Sequence, residues 1–471
     1  MNPKLHLRDY QQEGVNFLAE VGRSAGLLGD EPGLGKTRQA IAAADTLHAR
    51  RVLVLCYAIA KSHWQREFSE LQSLPRKVLT LNSQQERVPD KTSPLVVILN
   101  YDLIQQRDQP LRNVLLAHKW DTLILDEAHV LKSPDAHKTK YIYGKKLDGK
   151  APSLVSQCES VFVLTGTPMP NHAGELWTHF HALAPHLIPD PIRPGTPLSY
   201  PHYLDRYATI RATPWGNKIT GSKNLQDLNR RLGVFMLRRR KKDVLKDLPP
   251  LDFVLYPVTP SVPDTRALKD DLSQLEDFDT IEQLDDNSLE DALGLSHPSV
   301  STARRLLGLA KTKLAVELAH AELDADPAAK LILFAHHQSV LDRMNALFQS
   351  LKHRPVLVDG RTPATSRDKA IHDFQNDPNT RVFLGQTTAA GTSITLTASS
   401  NVIVVEPSFV PKDNVQAASR AHRFGQKNSV LVRYLYIPGT LDERIIAIIH
   451  RKTREIATVL DDDTVNLGAP A

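Results

Sequence analysis

The chain has 471 residues, 41% of them apolar and 24% charged, with a formal net charge of +5 and a pI near 9.0. That length predicts about three compact units or two large ones, and the apolar share suffices for ordinary buried cores. So mild a basic balance does not by itself indicate nucleic acid; only local clustering of cations would.

From the N-terminus, MNPKLHLRDYQ lacks the apolar core of a signal peptide. No apolar run approaches the roughly 18 residues of a membrane span. A soluble, intracellular, monomeric protein with no membrane partner is expected. The only cysteines, Cys56 and Cys158, lie far apart in or beside strand-like runs. They exclude a cysteine zinc site and read as free thiols in a reducing compartment.

Short, continuous, β-branched runs recur at 52–56, 96–100, 122–125 and 161–164, and again at 331–335, 356–358, 382–384 and 402–405. Strands buried on both faces of a parallel sheet look like this, and the helical stretches between them (338–351 and 367–374 among them) supply crossovers. The fold class is therefore α/β, with one parallel-sheet lobe over 1–185 and another over 311–471. Residues 186–310 differ: prolines are dense over 185–214, LRRRKK spans 237–242, and 270–291 holds ten acidic residues without lysine or arginine. This stretch predicts a linker and a mostly helical insert. Its acidic part, with Leu272, Leu275, Leu284, Leu289 and Leu293 spaced through it, reads as surface helices or a mobile insert.

Residues 29–37 read GDEPGLGKT, between an apolar stretch and a helical run. Gly33 and Gly35 let the backbone turn its N–H groups toward phosphate oxygens, and the following helix adds its positive end. Lys36 is placed to neutralise the β- and γ-phosphates of ATP, and Thr37 to bind Mg2+. Asp30 stands where the strict pattern has its first glycine.

Residues 123–129 read LILDEAH, about 90 residues beyond the GKT. An apolar strand delivers two carboxylates to its C-terminal end, where parallel sheets bind ligands. Asp126 suits Mg2+, and Glu127 suits orienting and deprotonating an attacking water.

Further segments follow in a fixed order: LRDYQQEGV at 7–15, VLTGTPMPN at 163–171, LRRRKKDVLKDLPP at 237–250, LILFAHHQSVLDRM at 331–344, TAAGTSITLTAS at 388–399 and QAASRAHRFGQ at 416–426. Together with GLGKT and DEAH they resemble superfamily-two helicases, and among these the Swi/Snf-type DNA translocases. FAHHQSVLD is similar to the HARP-type annealing-helicase subgroup. The resemblance implies two RecA-like lobes, with a C-terminal brace helix on the second. It implies that Gln11 reads adenine, that Gly391 belongs to the nucleotide site, and that Thr165 and Thr167 couple ATP state to lobe closure. Arg420 and Arg423 would reach across to the nucleotide from the second lobe. Three departures weaken the second-lobe carry-over. Ser419 stands where the family has Asp, Ala390, Thr392 and Ser393 replace a glycine-rich stretch, and Phe409, Val410 and Pro411 replace a tryptophan–asparagine–proline turn.

For nucleic acid, the candidate cations are Arg238, Arg239, Arg240, Lys241 and Lys242, with a second cluster at 450–454. Such clusters track phosphates without reading sequence. Trp64 either faces nucleic acid, as the family's first such motif does, or forms helix core with Phe68 at i+4. The reading is a DNA-dependent ATPase moving on duplex or forked DNA without sequence specificity. A strand-separating helicase and a nucleotide-switched DNA-binding module are the alternatives.

Overall fold

The computed structural model describes residues 6–460 except 22–24, 86, 90–91, 106–109, 151, 214–215, 276–283, 285–287, 290–291, 294–296 and 388–393. It divides into two compact units, the first built on Met1–Lys246 and the second on Asp247–Ala457.

The first unit holds a parallel sheet of seven strands: β1 (Gly26–Leu28), β2 (Arg51–Cys56), β3 (Lys77–Thr80), β4 (Leu95–Asn100), β5 (Trp120–Asp126), β6 (Cys158–Leu164) and, later in the chain, β9 (Met236–Leu237). Their order is β3-β4-β2-β5-β6-β1-β9, and every pairing is parallel. Every residue of β2 and β4 is buried, which is why the sequence shows unbroken apolar runs rather than alternation. One face carries Val52, Val54, Val96, Ile98, Ile124 and Phe162. It packs under the helices α1 (Asp9–Val21), α2 (Lys36–Thr46) and α3 (Lys61–Leu71), through Val15, Leu18, Ile41, Trp64 and Phe68.

The second unit has six strands: β10 (Leu251–Pro257), β11 (Leu331–Ala335), β12 (Val356–Val358), β13 (Val382–Gln386), β14 (Asn401–Val404) and β15 (Val430–Tyr436). Their order is β10-β15-β14-β11-β13-β12, again all parallel. Along β11, Ile332 and Phe334 enter one core, while Leu331, Leu333 and Ala335 enter the other. The helices α4 (Pro298–Ala325) and α5 (Gln338–Ser350) cover the latter face.

All eight strands expected from the apolar runs are present. The stretch 186–310 contains strands as well as helices: an antiparallel hairpin of β7 (Ala208–Thr213) and β8 (Gly216–Ser222), then β9 and β10, which join opposite sheets. β9 has only two residues, and β10 lies on an edge with half-exposed residues. The apolar run FVLY at 253–256 of β10 is present in the sequence but not among the expected strands. In the acidic segment, the described leucines turn inward. Leu289 and Leu293 are buried in the second unit with Leu284 against them, and Leu272 is buried with Leu275 against it. Most of the acidic residues between them lie outside the described residues.

Candidate nucleotide-binding site

Register brings the pieces of the site to one edge. Leu28, the last residue of β1, pairs with Leu164 of β6, and Leu164 pairs with Asp126 of β5. The loop after β1, the segment 165–167 and the DEAH segment therefore leave the sheet at the same level.

In the loop, Gly33 and Gly35 have φ of 95° and 79°, the left-handed region that glycine enters without strain. A Cβ on Gly35 would lie 2.4 Å from Gln11 Nε2, so a larger residue there would push the Gln11 side chain aside. Gln11 is anchored to this loop: its Nε2 donates to Leu34 O at 3.1 Å, and its Oε1 accepts from Arg8 N at 3.0 Å. Thr37 sits in the first turn of α2, half-buried. Lys36 Nζ donates to Asp30 O at 2.6 Å. Burial pulls this ammonium below its usual range, while Glu127, Asp30 and Asp126 act in the opposite direction.

Asp126 is held from two directions. Trp64 Nε1 donates to its Oδ2 at 2.8 Å, and Glu127 N donates to its Oδ1 at 3.1 Å. Its carbonyl oxygen accepts from Tyr101 Oη at 2.9 Å. Burial, and then the neighbouring Glu127, push the Asp126 carboxyl above the usual carboxylate range; Trp64 and Lys36 oppose them. Trp64 is fully buried, with its ring 5.9 Å from that of Phe68. It is therefore core and does not face nucleic acid, yet its one polar atom orients a site carboxylate. The indole N–H of a buried tryptophan needs an acceptor, and no linear pattern names Asp126 as that acceptor.

Glu127 has φ 48° and ψ 47°, a left-handed backbone that costs a non-glycine residue about 1–3 kcal/mol and clusters at functional sites. Its Oε2 lies 3.2 Å from His129 Nδ1. The same nitrogen is 3.2 Å from Thr165 Oγ1, and Thr165 Oγ1 accepts from Thr167 N at 3.2 Å. His129 Nε2 is 3.2 Å from Tyr57 Oη. A chain of close polar contacts thus runs from the DEAH carboxylate to the TGT segment: an ion-pair distance from Glu127 to His129, then hydrogen bonds from His129 through Thr165 to Thr167. The chain pattern singled out Glu127, Thr165 and Thr167 but not His129, which connects them.

The donors gathered here, the Thr37 hydroxyl and the Asp126 carboxylate, are all oxygen. That set fits a hard cation such as Mg2+.

The model of the SNF2-related domain matches residues 10–284. The chain belongs to the SNF2-related family. The model of the helicase conserved C-terminal domain matches residues 311–425. Among curated relatives, the SWI/SNF-related matrix-associated actin-dependent regulator of chromatin subfamily A-like protein 1 homolog of Caenorhabditis elegans is 32% identical over 98% of this chain and 64% of its own length. The DNA annealing helicase and endonuclease ZRANB3 of Mus musculus is 29% identical over 98% of this chain and 41% of its own. The chain thus spans between 41% and 64% of the length of these two relatives. The Sulfolobus solfataricus SWI2/SNF2 ATPase core in complex with dsDNA aligns over 97% of both chains at 21% identity, with a TM-score of 0.45.

In this SNF2-related chain the basic segment 238–242 departs from its expected role. Arg239 is buried. Its Nη2 meets Asp30 Oδ2 at 2.6 Å, its Nε meets Asp30 Oδ1 at 3.0 Å, and its Nη2 also reaches Gln39 Oε1 at 2.8 Å. Arg238 Nη1 donates to Gly29 O at 2.8 Å and Gly166 O at 3.1 Å. Lys241 is 4% exposed, and its main-chain N donates to Glu31 Oε2 at 2.6 Å. Arg238 and Arg239 brace the loop through their side chains and Lys241 through its main chain; Arg239 is a buried cation, and such a charge needs its partner inside the fold. Arg240 pairs with Asp243 at 2.6 Å, and Lys242 is exposed. Asp30, the departure from the strict glycine pattern, is the carboxylate that receives Arg239.

Arg420 and Arg423 belong to the second unit, after the helix Pro411–Ala418. Arg420 is buried. Arg423 Nη1 donates to Ile394 O at 2.7 Å and Thr395 Oγ1 at 2.8 Å. Gly391 lies outside the described residues. No helix among the described residues is long and apolar enough to cross a membrane.

Proposed function

We propose that this protein hydrolyses ATP to move along duplex or forked DNA as a monomer, without reading sequence. The observation that carries the reading is the path from Glu127 through His129 to Thr165 and Thr167. A carboxylate that only capped a helix would need no such connection.

Lys36 would place its ammonium on the β- and γ-phosphates, and the loop N–H groups between Gly33 and Thr37 would cradle them. Thr37 and Asp126 would hold Mg2+, which supplies neutralisation of phosphate charge when bound. Glu127 would take the proton of the water that attacks the γ-phosphorus as the bond to ADP breaks. His129 would hold the Glu127 carboxylate in place and relay the change to Thr165 and Thr167. Arg420 and Arg423, supplied by the second unit, would stabilise charge in the transition state, making turnover conditional on closure of the two units. The relatives named above as a SWI/SNF-related regulator and a DNA annealing helicase support action on DNA.

The test is ATP hydrolysis without nucleic acid and with single-stranded, duplex and forked DNA and RNA, at low and high salt. Stimulation by duplex or forked DNA that falls with salt is expected. Stimulation by single strands or RNA alone points to the strand-separating reading. A rate indifferent to all of them would overturn the motor.

A further inference from the structure

A second cluster of chemistry-bearing side chains lies in the second unit, at the end of the α4–α5 pair. His320 and Asp324 are four residues apart on α4, so one helix face carries both. His353 follows α5. Lys352 adopts a φ of 64°, and His353 N donates to Phe348 O at 3.0 Å. This turn brings the His353 ring to α4, and the ring stands edge-on to Phe348 at 5.9 Å.

His320 Nδ1 lies 3.0 Å from His353 Nε2 and 3.4 Å from Asp324 Oδ1. The ligand atoms of all three residues fall within 4.8 Å of one another. Zinc–nitrogen bonds of about 2.0–2.1 Å in a tetrahedron hold neighbouring ligand atoms roughly 3.3 Å apart. The observed spacings bracket that separation. Two imidazole nitrogens 3.0 Å apart share one proton between two lone pairs, and a cation can displace that proton and take both. The carboxylate offsets part of the cation's charge. The site is also reachable, since the His320 and Asp324 side chains are 32% and 62% exposed.

We infer that His320, Asp324 and His353 form a site for a divalent transition metal of the zinc class, with three protein ligands and a remaining position for water. The mixed nitrogen and oxygen set selects against Mg2+ and Ca2+, which prefer oxygen alone. Besides Asp324, the charged group that bears on His353 is Arg381. Its guanidinium is committed to the carbonyls of Ala329, Leu323 and Asp326 beyond the cluster. A bound ion would tie the last turns of α4 to the chain leaving α5 and stabilise the second unit by linkage. The site shares no residue with the ATP machinery, so it stands whatever the motor proves to do.

The experiment uses the full chain, stripped with chelator and titrated with Zn2+, with Mg2+ as control, followed by competition with a metal-sensitive dye. Co2+ provides an optical readout of ligand geometry. Other histidines contribute background, so Asp324→Ala, His320→Gln and His353→Gln are compared with wild type. Wild type is expected to bind one more Zn2+ equivalent than the histidine variants and to show a tetrahedral Co2+ band that they lack. Asp324→Ala should bind at least about ten-fold more weakly, since even outer-shell changes cost that much. Asp324 is mostly exposed, so this variant remains informative if a histidine variant misfolds. Equal stoichiometry, affinity and Co2+ spectra in wild type and Asp324→Ala, or no Zn2+ binding beyond that of Mg2+, would overturn the site.

Discussion

Trp64 reaches Asp126 from more than sixty residues upstream, and the bond between them is buried. Replacing Trp64 by Phe keeps an aromatic ring beside Phe68 but leaves a carboxylate oxygen without its donor, a loss of about 1–3 kcal/mol. If Asp126 holds Mg2+, the variant should need more Mg2+ for half-maximal ATP hydrolysis and turn over about ten-fold more slowly. A loss of stability with an unchanged Mg2+ requirement would reduce Trp64 to core packing. Glu127→Gln keeps the shape of the side chain and removes the base. ATP binding, followed with a fluorescent analogue, should persist while turnover falls about 10²- to 10⁴-fold. Normal turnover would remove Glu127 from the chemistry. The GKT and DEAH residues were legible because their spacing to phosphate and metal is local. The hydrogen bonds of Trp64 and His129 were not, because their partners lie in other strands and loops.

The loop after β1 is braced from β9, and Arg239 is the brace. Arg239→Met would strand the Asp30 carboxylate without its cation, a cost of about 3–5 kcal/mol. Arg240→Ala, at the half-exposed Asp243 pair, should change stability by less than about 0.5 kcal/mol. Urea denaturation followed by tryptophan fluorescence separates the two, and similar midpoints would refute the bracing. The segment after β6 carries a comparable anchor. Glu175 is buried, and its carboxylate accepts from Lys132 Nζ at 2.5 Å and from Asn171 N and Nδ2 at 2.7 and 2.8 Å. Burial raises its pKa, but His172, Lys132 and Asn171 outweigh that and bring it down to about 2. A folded-state pKa below the unfolded value of about 4.3 means stability that is present above that value and lost as pH falls toward 2. Glu175→Gln should therefore lower the urea midpoint at pH 7 and shift it progressively less as the pH approaches 2. A pH-independent penalty would mean that packing, not charge, is the contribution. In both cases the sequence displayed the charges, while strand order decided which of them face each other.

For the whole molecule, the proposal makes ATP turnover depend on both units and on DNA. Arg423→Ala should bind ATP normally and lose DNA-stimulated hydrolysis; stimulation equal to wild type would exclude Arg423 from the reaction. The variant must first be shown to fold, because Arg423 also holds Ile394 O and Thr395.

By itself the sequence determined the α/β class, eight of the strands, the phosphate loop and the carboxylate pair, because buried parallel strands and phosphate cradles each have a short-range signature. It also suggested a basic patch at 238–242 and an odd aspartate at 30, as unrelated features. The tertiary structure joined them. β9 pairs with β1, and that pairing sets Arg239 on Asp30 across 209 residues of chain. A run of cations looks the same in a sequence whether it meets solvent or a buried carboxylate. Only the pairing of strands brings the partner charge into place.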